Sequence, residues 1–127
     1  MLAALVLSMM MGFDPSVLTV PIVHAEELTK EWTVEEMKTL ATEKAKAHGL
    51  NVFRFLETIR CESLWDRFAV GDQGRSHGLA QFYYPGRWGI STTSAYEPEI
   101  ALEVMAQAWE DDRYSEWSCW WVLGYNK

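Results

Sequence analysis

Between Leu64 and Ser94 the chain loses the helical spacing of apolar residues that the stretches on either side keep. Gly71, Gly74, Gly78, Pro85, Gly86 and Gly89 accumulate there, the punctuation of a long structured loop with short helical pieces. Loops of that length are uncommon inside compact domains and usually carry function. The pattern predicts an all-α, or mostly α, single domain whose helices frame a loop-rich cleft. A chain of 127 residues has room for one modest core and no second domain.

The flanking segments define the helices. Thr33-Val34-Glu35-Glu36 is a capping box that starts the first, Met37, Leu40, Ala41 and Ala45 give it one apolar face with the Lys44 stem, and Gly49 is placed to stop it. Asn51 is the N-cap of the next, in which Val52, Phe55, Leu56 and Ile59 share a stripe. At about 100° per residue, Glu62 falls roughly 70° from the mean direction of that stripe and Glu57 roughly 150° away. Glu57 is thus a solvated residue, Glu62 sits on the shoulder of the apolar surface, and Ser63 points nearly along it. Tyr96-Glu97-Pro98-Glu99 opens a third helix with Pro98 in its first turn and Ile100, Ala101, Val104, Met105 and Ala108 on its buried face. A last helix, Ser115 to Leu123, carries Trp117, Cys119, Trp120 and Trp121 and should close the core.

Composition narrows the class. An apolar fraction of 49% excludes a disordered chain, and seven Trp are more than so small a core needs, so some rings are expected on the surface. The net charge of −7, with no basic run, argues against nucleic acid and sets up long-range repulsion from anionic membranes and walls. The apolar stretch Leu2 to Phe13, with Val23-His24-Ala25 ahead of Glu26, reads residues 1–25 as an export signal or an uncleaved anchor, the one expected link to a membrane. Glu26 to Trp32 reads as a charged, mobile lead-in, and 33–127 as the folded domain. Export to a periplasmic or extracellular space makes one disulfide the most economical use of Cys61 and Cys119, although two buried thiols remain the alternative. The bridge would pin the Glu62 helix to the C-terminal segment. Two thiols with His48 and His77 form no recognisable ligand spacing, so neither metal nor cofactor is expected.

A carboxyl held half in an apolar surface keeps its proton towards neutrality, which is what protonating a glycosidic oxygen requires. Glu62 has that position. Ser63 and Gln81, with backbone near Gly78, are candidates for orienting the acid or holding sugar hydroxyls, and Tyr83, Tyr84 and Trp88 for stacking on sugar rings. Asp66, one turn beyond Glu62 if the helix continues, and Asp72 in the glycine-rich loop are the candidate second carboxylates, nucleophile or water-activating base. A surface role for Asp66 and a turn-forming role for Asp72 stand beside that reading.

The runs Ala45-Lys46-Ala47-His48-Gly49-Leu50, Ile59-Arg60-Cys61-Glu62-Ser63 and Gly71 to Gln81, with Ser76-His77-Gly78-Leu79 inside the last, resemble the lytic transglycosylase domain of the lysozyme-like superfamily. The similarity continues through Glu97-Pro98-Glu99-Ile100-Ala101-Leu102 and covers roughly residues 33 to 112. It implies a lysozyme-like fold. It also implies that Glu62 acts as acid and then base on the β-1,4 bond between N-acetylmuramic acid and N-acetylglucosamine in peptidoglycan glycan strands. The sugar's own 6-hydroxyl would close a 1,6-anhydro ring, with no second carboxylate needed. By the same carry-over Ser63, Ser76, Gly78 and Gln81 contact substrate or acid, and the family's late Tyr-Asn pair would fall on Tyr125-Asn126. Two other readings stay open: a hydrolytic lysozyme using Asp72 or Asp66, and a lysozyme-like module that binds glycan or a partner without cleaving. The small size leaves few subsites, so activity on intact wall is expected either to be weak or to depend on an envelope protein partner.

Overall fold

The computed structural model describes residues 30–125. The reading of 1–25 as signal or anchor, most of the lead-in, and Asn126 lie outside them. Among the described residues no helix is long and apolar enough to cross a membrane.

Helix α1, Val34–Ala47, starts as its capping box dictates: the Thr33 hydroxyl oxygen accepts the Glu36 backbone N–H at 3.1 Å and donates to Glu36 Oε1 at 3.2 Å. It ends in a Schellman turn, Leu50 N–H to Ala45 O and Gly49 N–H to Lys46 O, with Gly49 at φ 68°. Helix α2, Val52–Ser63, is capped by Asn51 Oδ1, which accepts the Arg54 N–H at 3.0 Å. Its stripe buries Phe55 and Ile59 completely, while Val52 and Leu56 stay half-buried at the rim.

The loop-rich segment contains a small antiparallel sheet in the order β1-β2-β3: β1 Val70–Gly71, β2 Ser76–His77 and β3 Phe82–Tyr83. The fold is therefore mostly helical rather than all-α. Two-residue strands are too short to leave a period-two signature, so they are invisible to pattern reading. After a 3-10 turn at Pro85–Trp88 and a short helix α3, Thr92–Ala95, the chain enters α4, Pro98–Glu110, with Pro98 at its first position as expected. The buried face of α4 is Ala101, Leu102, Met105, Ala106, Ala108 and Trp109; Ile100 and Val104 lie at its edge. α1 packs on both α2 and α4.

The last expected helix is divided. A 3-10 turn, Tyr114–Glu116, and helix α5, Ser118–Val122, are separated by Trp117 in an extended conformation, φ −87° and ψ 125°. The break drives the Trp117 ring into the core, where its Nε1–H donates to Ala80 O at 2.7 Å. There it joins a continuous aromatic cluster: Trp88–Trp117 at 5.0 Å, Trp109–Trp120 at 5.4 Å and Phe55–Trp109 at 5.2 Å between ring centroids. Most of the tryptophans are core or half-buried, and some reach the surface, as expected. Trp65, Trp109, Trp117 and Trp120 are buried, and Trp121 is exposed.

The end of the lead-in is also tied down. The buried Arg67 guanidinium donates to Lys30 O at 2.8 Å and Tyr96 O at 2.9 Å and pairs with Glu97 at 3.4 Å. Burial pulls the Arg67 proton affinity down, while the Glu97 charge raises it.

Candidate active site

Glu62 is the penultimate residue of α2, and the way that helix ends decides its neighbours. Leu64 and Trp65 both adopt left-handed backbone, φ 52° and 62°, a conformation bulky residues rarely take. The chain swings round, Trp65 is buried, and Asp66 emerges beside Trp32, Arg67 and Phe68, away from Glu62. Its Oδ1 accepts the Phe68 N–H at 2.9 Å. Asp66 as a second carboxylate depended on a continued helix, and the helix stops at Ser63.

A cleft of about 250 Å³ opens between the end of α2, the sheet and the C-terminal segment. Glu62 enters it from α2, and Asp72, Ser76, Gln81, Phe82 and Tyr83 from the sheet and its turns. Trp88, Glu116, Trp117 and Ser118 complete the lining, which contains no cationic side chain among the described residues.

Glu62 is half-buried. Its Oε1 accepts the Cys119 backbone N–H at 3.0 Å and the Ser118 hydroxyl at 3.3 Å, while Oε2 has no hydrogen-bond partner among the described residues. Burial, the largest influence, raises its pKa above the ordinary 4.5. The Cys119 and Ser118 hydrogen bonds pull it back in part, and the negative charge of Asp72 adds a further push upward. Glu57, by contrast, forms a 4.0 Å surface pair with Arg60.

Asp72 shares this cleft. It opens the 3-10 turn Asp72–Gly74 between β1 and β2, and its Oδ2 accepts a short hydrogen bond from the Ser76 hydroxyl, so the buried Ser76 serves the carboxylate.

Several expected roles change. The Ser63 side chain is buried and donates to Ile59 O at 3.1 Å within its own helix, so it is not in the cleft. Gly78 is a packing glycine: at φ 83° a Cβ there would lie 1.9 Å from Ala95 O. Gln81 lines the cleft, but its Nε2 donates to Ala69 O and Gly78 O, both at 2.9 Å, and clips the loop together. Tyr83 lines the cleft and stacks edge-on with the exposed Tyr84 at 4.6 Å, outside the lining. Tyr125 is not part of the cleft lining: it packs on Trp120 at 5.4 Å and under Arg54 at 4.9 Å.

The disulfide is present. Cys61 and Cys119 are bonded, with Cα atoms 6.0 Å apart, joining the residue before Glu62 to the second residue of α5. Such a bond fits an oxidising environment. Ser118 and the Cys119 N–H were not anticipated as partners of the acid, although the pairing itself was the available signal: a residue bridged to the neighbour of Glu62 must lie beside Glu62. The chain matches no known protein-family model, no curated protein and no solved structure.

Proposed function

We propose that the protein is an exported lysozyme-like enzyme, a lytic transglycosylase that cleaves the β-1,4 bond between N-acetylmuramic acid and N-acetylglucosamine in peptidoglycan. The observation that carries this reading is Glu62: one oxygen held, the other without a partner among the described residues in a cleft lined by Tyr83 and Trp88, and a proton retained above the usual glutamate range by burial. The Glu62 proton passes to the departing glycosidic oxygen as the bond to the muramic C1 breaks. The ionised Glu62 then takes the proton of the muramic 6-hydroxyl as that oxygen bonds C1, giving the 1,6-anhydro sugar without consuming water.

One observation favours a second reading. Asp72 lies in the same cleft, is held by Ser76, and its charge acts on Glu62. An ionised carboxylate there stabilises the oxocarbenium-like centre, and in a hydrolase it would be nucleophile or base. Mass spectrometry of digested peptidoglycan separates the two. Transglycosylation yields anhydro-muropeptides, lost by about 10²- to 10⁴-fold in Glu62→Gln and reduced but still anhydro in Asp72→Asn. Reducing-end products, abolished in both variants, would instead establish hydrolysis. Glycan binding by the parent protein with no cleavage at any pH would leave a binding module.

A further inference from the structure

Two donors reach Glu62 from a part of the chain with no role in the proton transfers just described. Glu62 Oε1 lies at the start of α5, where the first turn of a helix has N–H groups without intrahelical acceptors. The Cys119 N–H donates to that oxygen at 3.0 Å, and the Ser118 hydroxyl donates to it at 3.3 Å. Three features fix that turn. Extended Trp117 ends the preceding 3-10 turn and is locked by its hydrogen bond to Ala80 O. Its ring packs on Trp88 at 5.0 Å and Phe82 at 6.2 Å. The Cys61–Cys119 bridge joins the two backbones at positions adjacent to, or identical with, the partners of this contact.

We infer that the Trp117–Cys119 turn, clamped by the Cys61–Cys119 bridge, is the positioning element of the acid: it holds Oε1 so that Oε2 is the oxygen that carries and delivers the proton. The assignment of Glu62 as the acid rests on the function proposed above; the positioning itself does not. The other charged or titratable groups facing Glu62 are Asp72, Glu116 and Tyr83 in the cleft, and Arg60 on its own helix is exposed and paired with Glu57. Among the described residues no cation faces it from the cleft lining, so the two donors are the groups that favour the ionised form. Removing them leaves burial and Asp72, which both favour the proton.

The test uses the oxidised full-length protein with ¹³C-labelled glutamate, comparing it with Ser118→Ala and with the Cys61→Ser/Cys119→Ser double variant. Each is checked for folding by near-UV circular dichroism. The titration midpoint of the Glu62 carboxyl should rise in both variants. The alkaline limb of the pH–rate profile on peptidoglycan, which reports loss of the acid's proton, should move to higher pH by the same amount. A merely structural role would lower the rate evenly across pH and leave the limb in place. An unmoved midpoint in folded Ser118→Ala overturns the inference, and that variant decides the matter if the double cysteine variant does not fold. If the parent cleaves nothing while the midpoint moves, the positioning stands and the proposed function falls.

Discussion

An ionised Glu62 is costly to the fold, because burial raises its proton affinity above the ordinary value of 4.5. The sign follows from linkage: below the ordinary value both folded and unfolded chains hold the proton, and above the raised value the folded chain carries the poorly solvated charge. Glu62→Gln should therefore match the parent in urea stability at low pH and become more stable than it as pH rises above 4.5, a gain that would be absent if the carboxyl were well solvated. Ser63→Ala tests the neighbouring position. Since the Ser63 hydroxyl, among the described residues, bonds Ile59 O inside α2, its loss should change stability by no more than about 1 kcal/mol and leave cleavage as it was. Gly78→Ala should cost about 2–4 kcal/mol in denaturant unfolding, because the new methyl meets Ala95 O and the backbone is left-handed. At this scale the helical phase of Glu62 was legible from Val52, Phe55, Leu56 and Ile59. The direction of Ser63 was equally legible, and its consequence, burial, outweighed the motif position that suggested a substrate contact.

Among elements, the α1–α4 contact contains a pH-dependent tie. His48, at the C-terminal cap of α1, places Nε2 2.9 Å from Glu103 Oε1 and Nδ1 in a short contact with Glu110, both on α4. Hydrogen bonds to Glu110, then to Glu103, raise the His48 pKa above 6.5, and the His48 bond lowers that of Glu103. The histidine contribution is fully present below 6.5 and is lost as pH rises through the raised value; the Glu103 contribution is present above 4.5 and is lost as pH falls through the lowered one. The stability difference between the parent and His48→Gln should thus be largest at mildly acidic pH and shrink on the alkaline side of 6.5, as read by thermal melts across pH. Helix starts were legible because Thr33, Asn51 and Pro98 act through their own side chains or rings. The division of the last helix was not, since Trp117 leaves helical geometry to reach Ala80 O, 37 residues away in sequence, and no local propensity encodes that partner. The turn at Leu64-Trp65, which removes Asp66 from the cleft, was hidden for the same reason: burial of the Trp65 ring overrides the steric preference of its backbone.

For the whole molecule, the net charge of −7 and a cleft lined by Glu62, Asp72 and Glu116 oppose approach to an anionic wall. Screening lengths fall to roughly 10 Å near 0.1 M salt, so on the proposed function release of product from intact wall should rise with salt over that range, and more steeply than turnover of short peptidoglycan oligosaccharides, which carry far fewer charges. Loss of the disulfide should lower global stability by roughly 4 kcal/mol on the chain-entropy account, visible as a lower urea midpoint for the double cysteine variant. The bridge spans a sequence separation of 58 residues, and that separation orders events in time. A nascent chain can form the α1–α2 hairpin from local contacts, whereas the surroundings of Glu62 are complete only when Cys119 has arrived and closed the chain's single disulfide loop. The setting of the carboxyl therefore rests on a contact that the chain can make only once both ends of that separation of 58 residues are present.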